Sequence, residues 1–157
     1  MANATTEILV IYHSQAGHTE AMARAVANGA GSMEQTTVVL KKAAEAGLDD
    51  LLRCDGLAIG SPETFGYMSG MIKDFFDRTY DEAHKRKEIF KKPYVVFVSA
   101  GNDGTGAAGQ IDRICRGYPF KKVSEPVISK TAVTEEDLAR CTELGQLLAA
   151  GCAAGIF

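Results

Sequence analysis

Short apolar runs alternate along this chain with segments of helical periodicity, and that alternation constrains the fold more than any single residue does. The runs predicted as strands are Ile8–Tyr12, Thr36–Leu40, Gly56–Gly60, Tyr94–Ser99 and roughly Glu125–Ser129. They are short and apolar, and most are rich in β-branched or aromatic residues. The segments predicted as helices are His18–Gly31, a short piece near Leu48–Leu52, Met68–Ala83, Ala107–Gly117 and Glu135–Ala154. Thr134 stands as N-cap of the last one, with Glu135, Glu136 and Asp137 in its first turn. Strict alternation of this kind implies a parallel sheet with helices on both faces. Right-handed crossovers then suit a doubly wound five-stranded parallel sheet of order 2-1-3-4-5 in a three-layer α/β sandwich. The 157 residues, 46% of them hydrophobic, are expected to form one domain, residues 1–157. There is no internal repeat and no low-complexity tract.

Such sheets receive ligands beyond the carboxyl ends of their strands, at the switch point. Three loops are expected to meet there: 13–19, 61–67 and 99–106. Loop one reads His13-Ser14-Gln15-Ala16-Gly17-His18-Thr19 and leads from a buried strand into a helix. A helix start offers unpaired N–H groups and the positive end of a dipole, so this loop is an anion site. Ser14 and Thr19 add hydroxyls. No Lys or Arg lies between Ile8 and Ala23, and the Gly-Lys-Ser/Thr ending of a nucleoside-triphosphate loop is missing. A smaller phosphate is the expected ligand.

Loop two reads Ser61-Pro62-Glu63-Thr64-Phe65-Gly66-Tyr67 and precedes a helix whose Met71, Ile72, Phe75 and Phe76 face inward. Phe65 and Tyr67 suit contact with a planar ligand; the alternative packs Phe65 beneath the loop. Loop three reads Ser99-Ala100-Gly101-Asn102-Asp103-Gly104-Thr105-Gly106. Its glycines let backbone approach a flat ring closely. Gly104 to Gly109 also matches the G-x-G-x-x-G dinucleotide pattern. That match is discounted, because it follows the fourth strand rather than the first and no acidic residue ends a strand about 20 residues on.

Composition excludes several classes. The net charge of −3 gives no broad affinity for nucleic acid, and Lys85-Arg86-Lys87 with Lys91-Lys92 reads as a solvated helix end. The start lacks a signal-peptide pattern, and no apolar run reaches the roughly 18 residues of a membrane span. Cys54, Cys115, Cys141 and Cys152 are widely spaced without a C-x-x-C, so reduced, packed thiols in a cytoplasmic protein are expected, and no metal site.

Taken together, the three loops resemble those of the flavodoxin-like superfamily, whose members bind FMN. Tyr12 to Thr19 is similar to that family's phosphate loop. Ser61-Pro62-Glu63-Thr64-Phe65-Gly66 with Met68-Ser69-Gly70 resembles the second flavin loop of WrbA-type NAD(P)H:quinone oxidoreductases, and Ile72 to Thr79 the helix that follows it. Tyr94–Ser99 with its glycine-rich turn resembles the third loop. The resemblance implies an FMN site made of Ser14, Gln15, Ala16, Gly17, His18 and Thr19, of Ser61, Pro62, Glu63, Thr64, Phe65 and Gly66, and of Ser99, Ala100, Gly101, Asn102, Asp103 and Gly104. The chain departs from the pattern in being shorter than the WrbA type. It also has no Trp and no third-loop Tyr to sandwich the ring.

The second departure is expected to leave one flavin face open, which suits hydride transfer from NAD(P)H to a quinone or similar small acceptor. The protein supplies binding and orientation and the flavin the chemistry. No catalytic side chain is expected; His13 reads as a packing residue, and His18 as a backbone donor to phosphate. The alternative is an electron carrier between redox protein partners. Homo-oligomer formation is left open. A receiver-type signalling domain would share the strand order but needs acids after the first and third strands, where this chain has Tyr12-His13-Ser14 and Gly60-Ser61.

Overall fold

The computed structural model describes residues 4–157. In chain order the elements are β1 (Thr6–Tyr12), α1 (His18–Gly31), β2 (Thr36–Lys42), α2 (Leu48–Arg53), β3 (Gly56–Thr64), β4 (Tyr67–Met68), α3 (Gly70–Ala83), a 3₁₀ turn (Lys87–Ile89), β5 (Pro93–Ala100), α4 (Thr105–Gly117), β6 (Lys121–Lys122), β7 (Val127–Lys130) and α5 (Glu135–Ala154). β2, β1, β3 and β5 lie side by side and parallel, and β6 and β7 both pair with the outer side of β5. This is the doubly wound 2-1-3-4-5 order, with its fifth position split in two. The split falls around Pro126, which has no N–H for the ladder. The expected strand at 125–129 therefore forms only from Val127.

The central strands are apolar on both faces because both are covered. Ile8, Val10 and Tyr12 pack with Met22, Val26 and Ala30 of α1 and Leu144 and Leu148 of α5. Leu9 and Ile11 face the other way, into a core shared with Leu51 of α2, Ile72, Phe75 and Phe76 of α3, and Ile111 of α4. α1 and α5 approach closely at two glycines. A Cβ on Gly29 would collide with the backbone carbonyl of Thr142, and one on Gly145 with that of Val26. Thr134 caps α5 as expected, its hydroxyl accepting from the N–H of Asp137 at 3.1 Å.

Loop two departs from a plain loop. β3 continues to Thr64 and turns back as a hairpin, with Glu63 opposite Met68 and Thr64 opposite Tyr67. Phe65 (φ 52°) and Gly66 (φ 71°) occupy its tip, both left-handed, as a tight two-residue hairpin turn requires. Phe65 does not pack beneath the loop; it is fully exposed.

Candidate functional site

The parallel strands carry the three loops to one edge, and hydrogen bonds tie them together. His13 donates its backbone N–H to the carbonyl of Gly60 at 3.2 Å, joining loop one to β3. The hydroxyls of Thr19 and Ser99 lie 2.8 Å apart, joining the start of α1 to the end of β5. Glu63 reaches from loop two to loop three: Oε1 accepts from the N–H of Gly104 at 3.2 Å and Oε2 from that of Ala107 at 3.0 Å.

Loop one wraps the start of α1. Gly17, the N-cap of α1, sits at φ 93°, a conformation that strains any residue with a Cβ. The Ser14 hydroxyl turns back over the helix start and accepts from the N–H groups of Gly17 (3.1 Å) and Glu20 (3.2 Å). Gln15, Ala16, Gly17 and His18 are exposed, whereas Thr19 is 1% exposed and faces Ser99. A cavity of about 380 Å³ opens here, lined by Tyr12, His13, Ser14, Gln15, Gly17 and Glu20, and also by Lys42, Ala44 and Met71. Sequence reasoning misses Glu20 and the last three. Lys42 and Ala44 lie at and just beyond the end of β2, which stands beside β1 only in the folded sheet, and the helical pattern places Met71 wholly inward. The Tyr12 hydroxyl donates to Glu20 at 3.0 Å; burial, then this carboxylate, push the phenol above its ordinary value.

The predicted residues of loop two divide. Ser61 is fully buried, its hydroxyl accepting from the N–H of Ser69 and donating to the carbonyl of Pro62. Pro62, Glu63 and Thr64 are half-buried, and Phe65 and Gly66 form the exposed tip. In loop three, Ser99, Ala100 and Gly104 are buried, and Gly101, Asn102 and Asp103 are exposed. Asp103 accepts from both the N–H and the hydroxyl of Thr105 at 2.9 Å, and the N–H first of all holds its carboxyl below the usual range.

These bonds give a physical reason why Gly104 to Gly109 is no dinucleotide loop. The N–H groups of Gly104, Thr105 and Ala107 already serve two carboxylates of the chain itself. A pyrophosphate placed there would meet Glu63 and Asp103. The start of α4 is thereby closed to a phosphate, whereas at α1 the N–H groups of Gly17 and Glu20 meet the uncharged Ser14 hydroxyl instead of a carboxylate.

The flavodoxin family model matches residues 10–145. The chain belongs to the flavodoxin family. It is 43% identical over 100 residues to a flavodoxin of Aquifex aeolicus, covering 64% of this chain and 53% of the relative. It is 37% identical over 121 residues to an NAD(P)H dehydrogenase (quinone) of Acidithiobacillus ferrooxidans, covering 64% of this chain and 60% of the relative. The chain thus spans little more than half the length of these curated relatives. Its structure is similar to that of a flavodoxin from the domain Archaea, with TM-score 0.83 and 26% identity over 94% of this chain and 99% of the other. The family's cofactor is FMN, and the loops fit it in kind: a glycine- and hydroxyl-bearing loop at a helix start for one phosphate, with Lys42 and Glu20 on the cavity wall, and glycine-rich and aromatic edges for a ring. Among the described residues no helix is long and apolar enough to cross a membrane, and no cluster of His, Cys, Asp and Glu is placed to hold a metal.

Proposed function

We propose that this flavodoxin-like redox protein is an NAD(P)H-dependent oxidoreductase that reduces quinones or similar small acceptors through FMN. Loop one, Ser14 to Thr19, holds the phosphate, and residues 61–66 and 99–104 receive the ring. The reading is carried by the exposed, small third loop. Gly101, Asn102 and Asp103 stand in solvent with no aromatic among them, and the chain has no Trp. A ring seated against such an edge keeps one face open to a nicotinamide or a quinone. Relatives named NAD(P)H dehydrogenase (quinone) support the same reading. The chemistry a bound FMN would supply is relay of a hydride: two electrons and one proton from NAD(P)H would pass on to the acceptor, which would take its second proton from solvent.

The test is anaerobic addition of NADH or NADPH to the purified yellow protein. Bleaching, followed by recovery of colour on adding a small quinone, is expected. No bleaching by either nicotinamide overturns the proposal and favours the second reading, an electron carrier between redox proteins, which the Aquifex flavodoxin supports. We further read the whole chain as one FMN-binding domain. We place it in the cytoplasm, where its four unbonded cysteines suit a reducing compartment.

A further inference from the structure

Among the described residues, Glu63 is the side chain that links the two loops assigned to the ring, and it does so with both carboxylate oxygens. Each oxygen takes one N–H at the start of α4, those of Gly104 and Ala107. Gly104, the N-cap of that helix, has no side chain with which to cap it, so the acceptor comes from 41 residues away. The carboxylate also neutralises the positive end of the helix dipole. The brace is reinforced by backbone contact: a Cβ on Gly106 would collide with the carbonyl of Gly66 at the hairpin tip. Loop three therefore has two halves. Residues 104–107 are locked onto the loop-two hairpin. Residues 101–103 are exposed, and a Cβ added at Gly101 would meet nothing within 4 Å.

We propose that Glu63 is a positioning residue for the flavin ring, which clamps the 104–107 half of loop three so that the free 101–103 half receives the ring beside a fixed negative charge. The clamp sets where the ring edge lies, and a charge held close to it opposes the addition of electrons. This rests on the reading that loops two and three hold the ring.

The test compares Glu63→Gln, which removes the charge but leaves an acceptor, with Glu63→Asp, which keeps the charge on a side chain one methylene too short to span both N–H groups. Loss of a hydrogen bond to a charged group is roughly a tenfold change or more. In the apoprotein, the Gly104 and Ala107 amides are expected to exchange about tenfold faster in both variants. With FMN, Glu63→Asp is expected to bind about tenfold more weakly at a midpoint potential near that of wild type. Glu63→Gln is expected to shift the potential to a less negative value. Faster exchange with unchanged FMN affinity and unchanged potential in both variants would make Glu63 a structural brace only and overturn the proposal. Should Glu63→Gln fail to fold, affinity and potential of Glu63→Asp decide. Failure of the underlying site reading has its own signature, namely wild-type Gly101, Asn102 and Asp103 amide resonances that do not move on FMN titration.

Discussion

The hydroxyl of Thr19, in the first turn of α1, lies 2.8 Å from that of Ser99, at the end of β5, both buried. The bond joins the start of α1 to the third loop across 80 residues of sequence. The start of α1 and the end of β5 are thereby held together.

Replacing Ser14 and Thr19 together by Ala removes the hydroxyl that organises the Gly17 and Glu20 amides and the one that meets Ser99. FMN binding is expected to weaken at least about tenfold, at about 1.4 kcal/mol per decade. Flavin-fluorescence titration of the apoprotein measures it. Unchanged affinity would place the phosphate elsewhere.

Two glycines of loop three are required for different reasons. Gly104 sits at φ 76°, and a Cβ there would lie 2.5 Å from Cγ2 of Ile128. Gly104→Ala is expected to cost the fold itself about 1–2 kcal/mol or more in urea unfolding of the apoprotein. Gly101 has open space and no left-handed backbone. Gly101→Val is expected to leave the far-UV circular dichroism unchanged and lower flavin occupancy, so its effect isolates contact with the ring.

The α1–α5 contact admits no methyl at its two glycines. Ala in place of Gly normally favours a helix interior by about 1 kcal/mol. At Gly145 the clash with the Val26 carbonyl should outweigh that gain, with a net loss of about 2 kcal/mol or more. Gly109 of α4, where an added Cβ meets nothing, is the control and should gain about 0.5–1 kcal/mol on becoming Ala. Paired denaturant titrations check both, and equal effects would refute the role given to packing.

Asp137 ties the start of α5 to β7. Burial alone would raise its carboxyl, but the Thr134 N–H, the Ser129 hydroxyl and Arg140 outweigh that and hold it at about 2, against an ordinary 3.8. A depressed folded-state value stabilises the protein above the unfolded value and is lost as pH falls through the folded one. About 2 kcal/mol of stability should therefore be present above about pH 4 and vanish towards pH 2, since each tenfold change in proton affinity is worth about 1.36 kcal/mol. Asp137→Asn should lose it at neutral pH and show a shallower acid limb in a stability-versus-pH series.

Alternating apolar runs and helical periods suffice to read the layers, the parallel strands and the order of the sheet, because burial on both faces writes itself into each strand locally. The start of α1 at His18 and the Thr134 cap of α5 are legible for the same reason: a helix and its first turn are neighbours in sequence. What folding alone decided lies between distant residues. Nothing local marks Glu63 as the cap of a helix 41 residues on, Thr19 as a partner of Ser99, or Lys42 as lining the cavity beside Ser14. Nor does the composition of loop two show that Phe65 rides on a hairpin tip in solvent. The tip is held there by Gly66 backing onto Gly106, a contact that exists only once β3 and β5 lie side by side.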